Sequence, residues 1–210
     1  MIRRKKQTRR RRAGFTLAEV GVAVATAMIV LGMALGILIT TNQMVNRSLS
    51  HEALLQQAEL GMKEIRSVIE ATVWPEDFAT TGSTQAPLVF EKDRLGVYAS
   101  RDPASGRFCF HTFRLTLGDK GKPRAVCERS LPGGTPPPNP TTVLGGEFKT
   151  TIAFRYATQI GADLQPAWQE SLPAGQKPRL IWVELLLRGE EYPDMPGRIE
   201  EVRLATAIPL

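Results

Sequence analysis

Proline is missing from the first 74 residues, Pro75 being the first, so nothing in the covalent chain forbids one continuous helix there. Cysteine is scarce. Cys109 and Cys127 exclude a disulfide-dense scaffold and leave either one bridge or two buried free thiols. With only His51 and His111 beside them, and those far apart in sequence, no zinc ligand set is expected. The sequence has no Ser-His-Asp order, glycine-rich phosphate loop, HExxH or EF-hand loop. Asp163, Asp194 and the pairs Glu190-Glu191 and Glu200-Glu201 are too dispersed for calcium ligation and read as solvated faces. His111 alternates with Phe108, Phe110 and Phe113 in a strand-like run, where a structural role is expected. No metal, no cofactor and no enzymatic activity is expected, and no internal repeat is found.

Charge is unevenly placed. The chain carries 27 Lys and Arg against 21 Asp and Glu, a formal net charge of +6. Arg3, Arg4, Lys5, Lys6, Arg9, Arg10, Arg11 and Arg12 supply eight of the cations with no acid among them. Beyond residue 14 that leaves 19 basic against 21 acidic side chains, or −2. The remaining Lys and Arg are scattered, so no nucleic-acid surface is expected. A basic block directly before an apolar run instead sets membrane orientation by the positive-inside rule.

That run, FTLAEVGVAVATAMIVLGMALGILI from Phe15 to Ile39, is long enough to cross a bilayer, which takes about 20 helical residues. Glu19 is its only charge. A carboxylate in such a span costs about 2.5–3.5 kcal/mol, so it calls for a partner. Gly32 and Gly36 form a G-x-x-x-G step, either a helix contact face or a weak point in the helix. An ordinary secretory signal has a shorter apolar region; here Glu19 interrupts it ahead of Ala23, Ala25 and Ala27, and it runs on to Ile39. A twin-arginine signal at Arg11-Arg12 would place Phe15 one position earlier. A plain anchor leaves Glu19 and Gly14-Phe15 unexplained.

The segment RRRRAGFTLAE resembles the processing site of type IV prepilins and type II secretion pseudopilins. The resemblance implies cleavage after Gly14 by prepilin peptidase, N-methylation of the new first residue Phe15, and an assembly role for Glu19. Its physical basis is plain: cleavage frees an amine at Phe15, and a cation beside hydrocarbon needs a counter-charge. Glu19, one helical turn from its own N-terminus, can neutralise the amine of a staggered neighbour. Many pilins carry a proline near the position of Gly36; this chain does not.

After Thr40 the helical pattern turns amphipathic. Ala58, Met62, Ile65, Ile69 and Val73 recur every three or four residues among Glu52, Gln56, Gln57, Glu59, Lys63, Glu64 and Arg66, a stripe expected to pack on the following domain. Beyond Pro75, strands are expected at Leu88–Glu91, Leu95–Ala99, Arg107–Leu117, Arg124–Arg129, Phe148–Tyr156, Arg179–Arg188 and Ile199–Ala207. LIWVELLL, from Leu180 to Leu187, reads as a central strand, and LPGGTPPPNP, from Leu131 to Pro140, as a surface loop. In an exported head an even cysteine count favours one disulfide, and Cys109 and Cys127 flank the turn-like GDKGKP (Gly118 to Pro123), where the bridge could staple two neighbouring strands.

The expected organisation is a basic leader at 1–14, a transmembrane assembly helix at 15–40, its amphipathic continuation at 41–74 and a β-rich head at 75–210. The expected class is α+β, a long N-terminal helix packed on mostly antiparallel sheet. The stretch from Phe154 to Leu187 further resembles the J-type minor pseudopilins, whose fold is such a helix with a two-sheet head. That resemblance implies a single-pass inner-membrane protein with its head in the periplasm, and as partners prepilin peptidase and other minor and major pseudopilins or pilins. A W-type minor type IV pilin and a membrane-anchored binding module remain the alternatives.

Overall fold

A computed structural model describes residues 15–78, 87–118, 121–131, 141–161, 165–173, 175–191 and 199–210. It is α+β: one long apolar N-terminal helix and antiparallel sheets packed against it. Helix α1 spans Leu17–Glu70, followed by a single turn, α2, at Pro75–Phe78. The strands are β1 (Val89–Phe90), β2 (Arg94–Arg101), β3 (Phe108–Leu117), β4 (Pro123–Ser130), β5 (Thr141–Leu144), β6 (Lys149–Ala157), β7 (Leu180–Glu191) and β8 (Ile199–Pro209). Two compact units result, one ending at Ser48 and the other covering Leu49–Leu210.

In the first unit every described residue from Phe15 to Asn46 is exposed. Among the described residues, α1 is the one helix long and apolar enough to cross a membrane. Two of its hydroxyls bond back to the helix: Thr26 Oγ1 donates to Val22 O at 2.8 Å and Thr40 Oγ1 to Gly36 O at 2.9 Å. Such back-bonding lets a polar side chain sit in an apolar span. The helix runs unbroken through Gly32 and Gly36, and a Cβ at either glycine would meet nothing within 4 Å.

The second unit is the head. Sheet A has the order β1-β2-β3-β4-β5 and sheet B the order β6-β7-β8, all neighbours antiparallel. The helical stripe packs as its spacing implies: Leu54, Ala58, Met62, Ile65, Val68 and Ile69 are buried in one cluster with residues of both sheets. Gly61 permits the approach, since a Cβ there would stand 3.0 Å from Leu185 Cδ2. Arg66 Nη2 donates to Thr206 Oγ1 of β8 at 3.2 Å. The helix stops before Trp74-Pro75, because a residue preceding proline is disfavoured in the α region. Val73 instead donates its N–H to Tyr98 O at 2.8 Å, so it joins the strands rather than the helix.

Alternation selects the buried face of each strand. Thr150, Ile152, Phe154 and Tyr156 of β6 are buried, as are Ile181, Val183, Leu185 and Leu187 of β7. β7 is indeed central, but only one of its faces is fully covered; Trp182, Glu184 and Leu186 opposite are half-buried. The sheets are joined at the β1–β2 turn. Phe154 N donates to Lys92 O at 2.7 Å, the Tyr156 hydroxyl donates to Glu91 O at 2.8 Å, and the Phe90 and Tyr156 rings meet edge-on at 5.4 Å.

Two expectations need correction. Strand β5 forms directly after Pro140 and pairs with β4, although the sequence-based reading has no strand there. The Cys109–Cys127 bridge is absent, and both residues are buried free thiols. The β3–β4 register sets Phe113, not Cys109, opposite Cys127. Cys109 lies four residues further along β3, about 14 Å at 3.4 Å per residue, against the roughly 7 Å of Cα separation that a disulfide tolerates. Gly14, the leader, most of the 131–140 loop, Asp163 and Asp194 lie outside the described residues.

Candidate functional site

The site singled out by the sequence lies at the start of α1. Phe15 is 86% exposed and precedes the helix. Thr16 holds the N-cap position. Its N–H donates to Glu19 Oε2 at 2.9 Å, and its hydroxyl donates to the same oxygen at 3.0 Å. The Glu19 N–H donates in return to Thr16 Oγ1 at 3.3 Å. This is a reciprocal capping box, which satisfies two of the four N–H groups that a helix start leaves without partners. An acidic side chain in the first turn also opposes the positive end of the helix dipole. Glu19 thus has a partner inside its own chain. Thr16 is the partner that the sequence reading overlooks, and its signal is present as T-L-A-E (Thr16 to Glu19), a threonine followed three residues later by glutamate ahead of an apolar run.

A second surface lies on the head-side part of α1. Leu49, Ala53 and Leu60 fall within about 40° of one another at 100° per residue, on the side turned away from Leu54, Ala58 and Ile65. Leu49 is 57% and Leu60 60% exposed, so an apolar strip faces outward next to Gln56 and Lys63.

The buried polar groups of the head form a different arrangement. His111 on β3 has its Nε2 at 3.0 Å from Ser100 Oγ and its Nδ1 at 3.7 Å from Cys127 Sγ. Burial, with Arg129 nearby, pushes the imidazole down to about 4. Burial also pushes the Cys127 thiol up to about 12, with Glu64 adding to the rise. At neutral pH the thiol therefore keeps its proton and the imidazole stays neutral, the reverse of what an activated Cys–His nucleophile needs. The contact is satisfied, with His111 and Cys127 buried and Ser100 closing it from the exposed side. His51 stands apart, 3.9 Å from Glu200 at the surface. Glu201 pairs with Arg188 at 2.6 Å. Among the described residues no three His, Cys, Asp or Glu side chains come together as metal ligands.

No protein-family model, curated protein or solved structure matches this chain.

Proposed function

We propose that this chain is a minor pseudopilin of a type II secretion system. It is held in the inner membrane by residues 15–40 with its head in the periplasm, cut after Gly14 and N-methylated at Phe15 by prepilin peptidase, and built in near the tip of a short filament. The observation that carries the reading is Glu19, the single charge of a fully exposed apolar span, fixed in the first helical turn directly behind Phe15. The capping box makes that carboxylate tolerable in a lone subunit, and the freed Phe15 amine of a neighbour gives it a second partner on assembly. The outward strip of Leu49, Ala53 and Leu60 supports the same reading, because it suits a helix that packs beside the helices of other subunits. A helix backed by two antiparallel sheets also agrees with the J-type resemblance of the segment from Phe154 to Leu187.

A photo-crosslinker in place of Leu60, in cells that make the sister subunits, tests the proposal. Crosslinks to pseudopilins should form when the peptidase is active and vanish when it is not. Crosslinks that persist without the peptidase, or none in either background, overturn it.

A further inference from the structure

The two outer edges of sheet B differ. Leu210 N donates to Arg179 O in the register of the β7–β8 ladder. Because bonded and unbonded pairs alternate along an antiparallel ladder, Ile208, Thr206, Leu204 and Val202 are the β8 residues bonded to β7. The N–H and C=O groups of Glu201, Arg203, Ala205 and Ala207 therefore point away from the sheet, joined by the Pro209 carbonyl. The same parity turns Phe154 and Tyr156 of β6 outward on the opposite edge, and there both are occupied. Phe154 N donates to Lys92 O at 2.7 Å, and Tyr156 exchanges two bonds of 2.8 Å with Gln169. Among the described residues no backbone group gives β8 such a cover.

Exposed edges are normally blunted by charge, bulges or proline. Glu200 and Glu201 protect the first part of β8, the Arg203 guanidinium is drawn over the sheet to Glu184 Oε1 at 2.7 Å, and Leu204 to Leu210 carries no charged side chain. The pairing with β7 runs without a bulge from Glu201 to Pro209. Ala205 and Ala207 are exposed and too small to shield the edge. Across the ladder they sit beside Glu184 and Trp182, and the Trp182 ring meets Trp168 edge-on at 5.9 Å. A strand laid on this edge would stand about 10 Å, two strand spacings, from the β7 row. Its long apolar side chains could reach over the alanines to the Trp182 ring.

We propose that the edge from Arg203 to Pro209 accepts an extended, charge-poor strand of a sister subunit, with large apolar side chains at alternate positions. Main-chain bonds supply the affinity, and the step between the alanines and Trp182 supplies selection. The inference rests on the assembly reading for the source of the strand.

Hydrogen exchange on the full-length protein, alone in detergent and then assembled with its sister subunits, tests it. The amides of Arg203, Ala205 and Ala207 should exchange fast in the lone chain and at least about tenfold slower in the assembly. Those of Val202, Leu204, Thr206 and Ile208 should be slow in both. Ala205→Pro removes only an outward donor, a place where edge strands tolerate proline. It should keep the melting temperature of the wild type and lose incorporation. Thr206→Pro, which removes a bond to β7, should destabilise the head. An assembled chain whose outward amides stay fast, or an Ala205→Pro variant that folds and assembles as wild type, overturns the strand proposal alone. A wild-type chain that is never cut after Gly14 and joins no sister subunit refutes the assembly reading and, with it, the strand's source. Period-two protection already present in the concentrated lone chain would make a second copy the donor and also overturn the proposal.

Discussion

Replacing Glu19 by glutamine separates the capping role seen in the structure from the counter-charge role proposed for the carboxylate. The capping box needs an acceptor three residues after Thr16, and a glutamine oxygen serves. The 2.9 Å bond from Thr16 N–H and the 3.3 Å bond from the residue-19 N–H to Thr16 Oγ1 are therefore retained, and the helix should start where it does now. What disappears is the charge. A lone subunit then inserts as well as or better than the wild type, since a carboxylate in the span costs about 2.5–3.5 kcal/mol. In the proposed filament, the Phe15 amine of a neighbour would lose its counter-charge. Breaking a buried pair costs about 3–5 kcal/mol, a factor of about 140 to 4,000 in the assembly equilibrium. Thr16→Ala does the converse: it removes the cap at about 1 kcal/mol, roughly fivefold, and keeps the charge. Cleavage should survive in both. Crosslinking to sister pseudopilins and secretion in cells expressing each variant read the ranking, with Glu19→Gln far below Thr16→Ala. If Glu19→Gln assembles as wild type while Thr16→Ala fails, Glu19 is only a helix cap and the counter-charge argument is refuted.

The remaining predictions concern the head. Cys109 and Cys127 should resist alkylation in the folded protein, and both should label once it is denatured without reductant; a denatured, unreduced chain that takes up no label would restore the disulfide. The His111 imidazole, at about 4 when folded against 6.5 when unfolded, binds a proton in the unfolded chain first. Stability should therefore be whole above pH 6.5 and fall by about 3 kcal/mol as the pH drops from there to about 4, and His111→Gln should flatten that window in urea titrations. Gly61→Leu should destabilise the head by about 1–3 kcal/mol through overpacking against Leu185, seen as a lower urea midpoint. An unchanged midpoint would mean that the helix does not approach the sheet as closely as described.

Much of the fold is legible in the sequence because its signals are local. The absence of proline before Pro75 and the three-to-four spacing from Ala58 to Ile69 announce the helix and its buried face. Period-two alternation from Phe148 to Tyr156 and from Val202 to Thr206 announces strands and their inward sides. Strand β5 is not legible: Thr141-Thr142-Val143-Leu144 is too short to show a period and follows a proline-rich stretch, so its pairing with β4 is a tertiary fact. The thiols are misleading for a related reason. An even cysteine count and a turn between them suggest proximity, but register decides it, and an offset of four residues along β3 is invisible to composition. At the candidate site the sequence shows Glu19 as an isolated charge and thereby directs attention to an outside partner. The partner within the chain, Thr16, is spelled in the same four residues and becomes apparent once the helix start is located at Leu17.

The proposed processing into an assembly subunit is tested most directly by the N-terminus of the protein isolated from its own cells. Mass spectrometry should find a chain beginning at N-methylated Phe15, and Gly14→Lys should leave the leader attached. A mature protein that begins at Met1, or near Ala25–Met28 as an ordinary signal peptidase would leave it, contradicts the account.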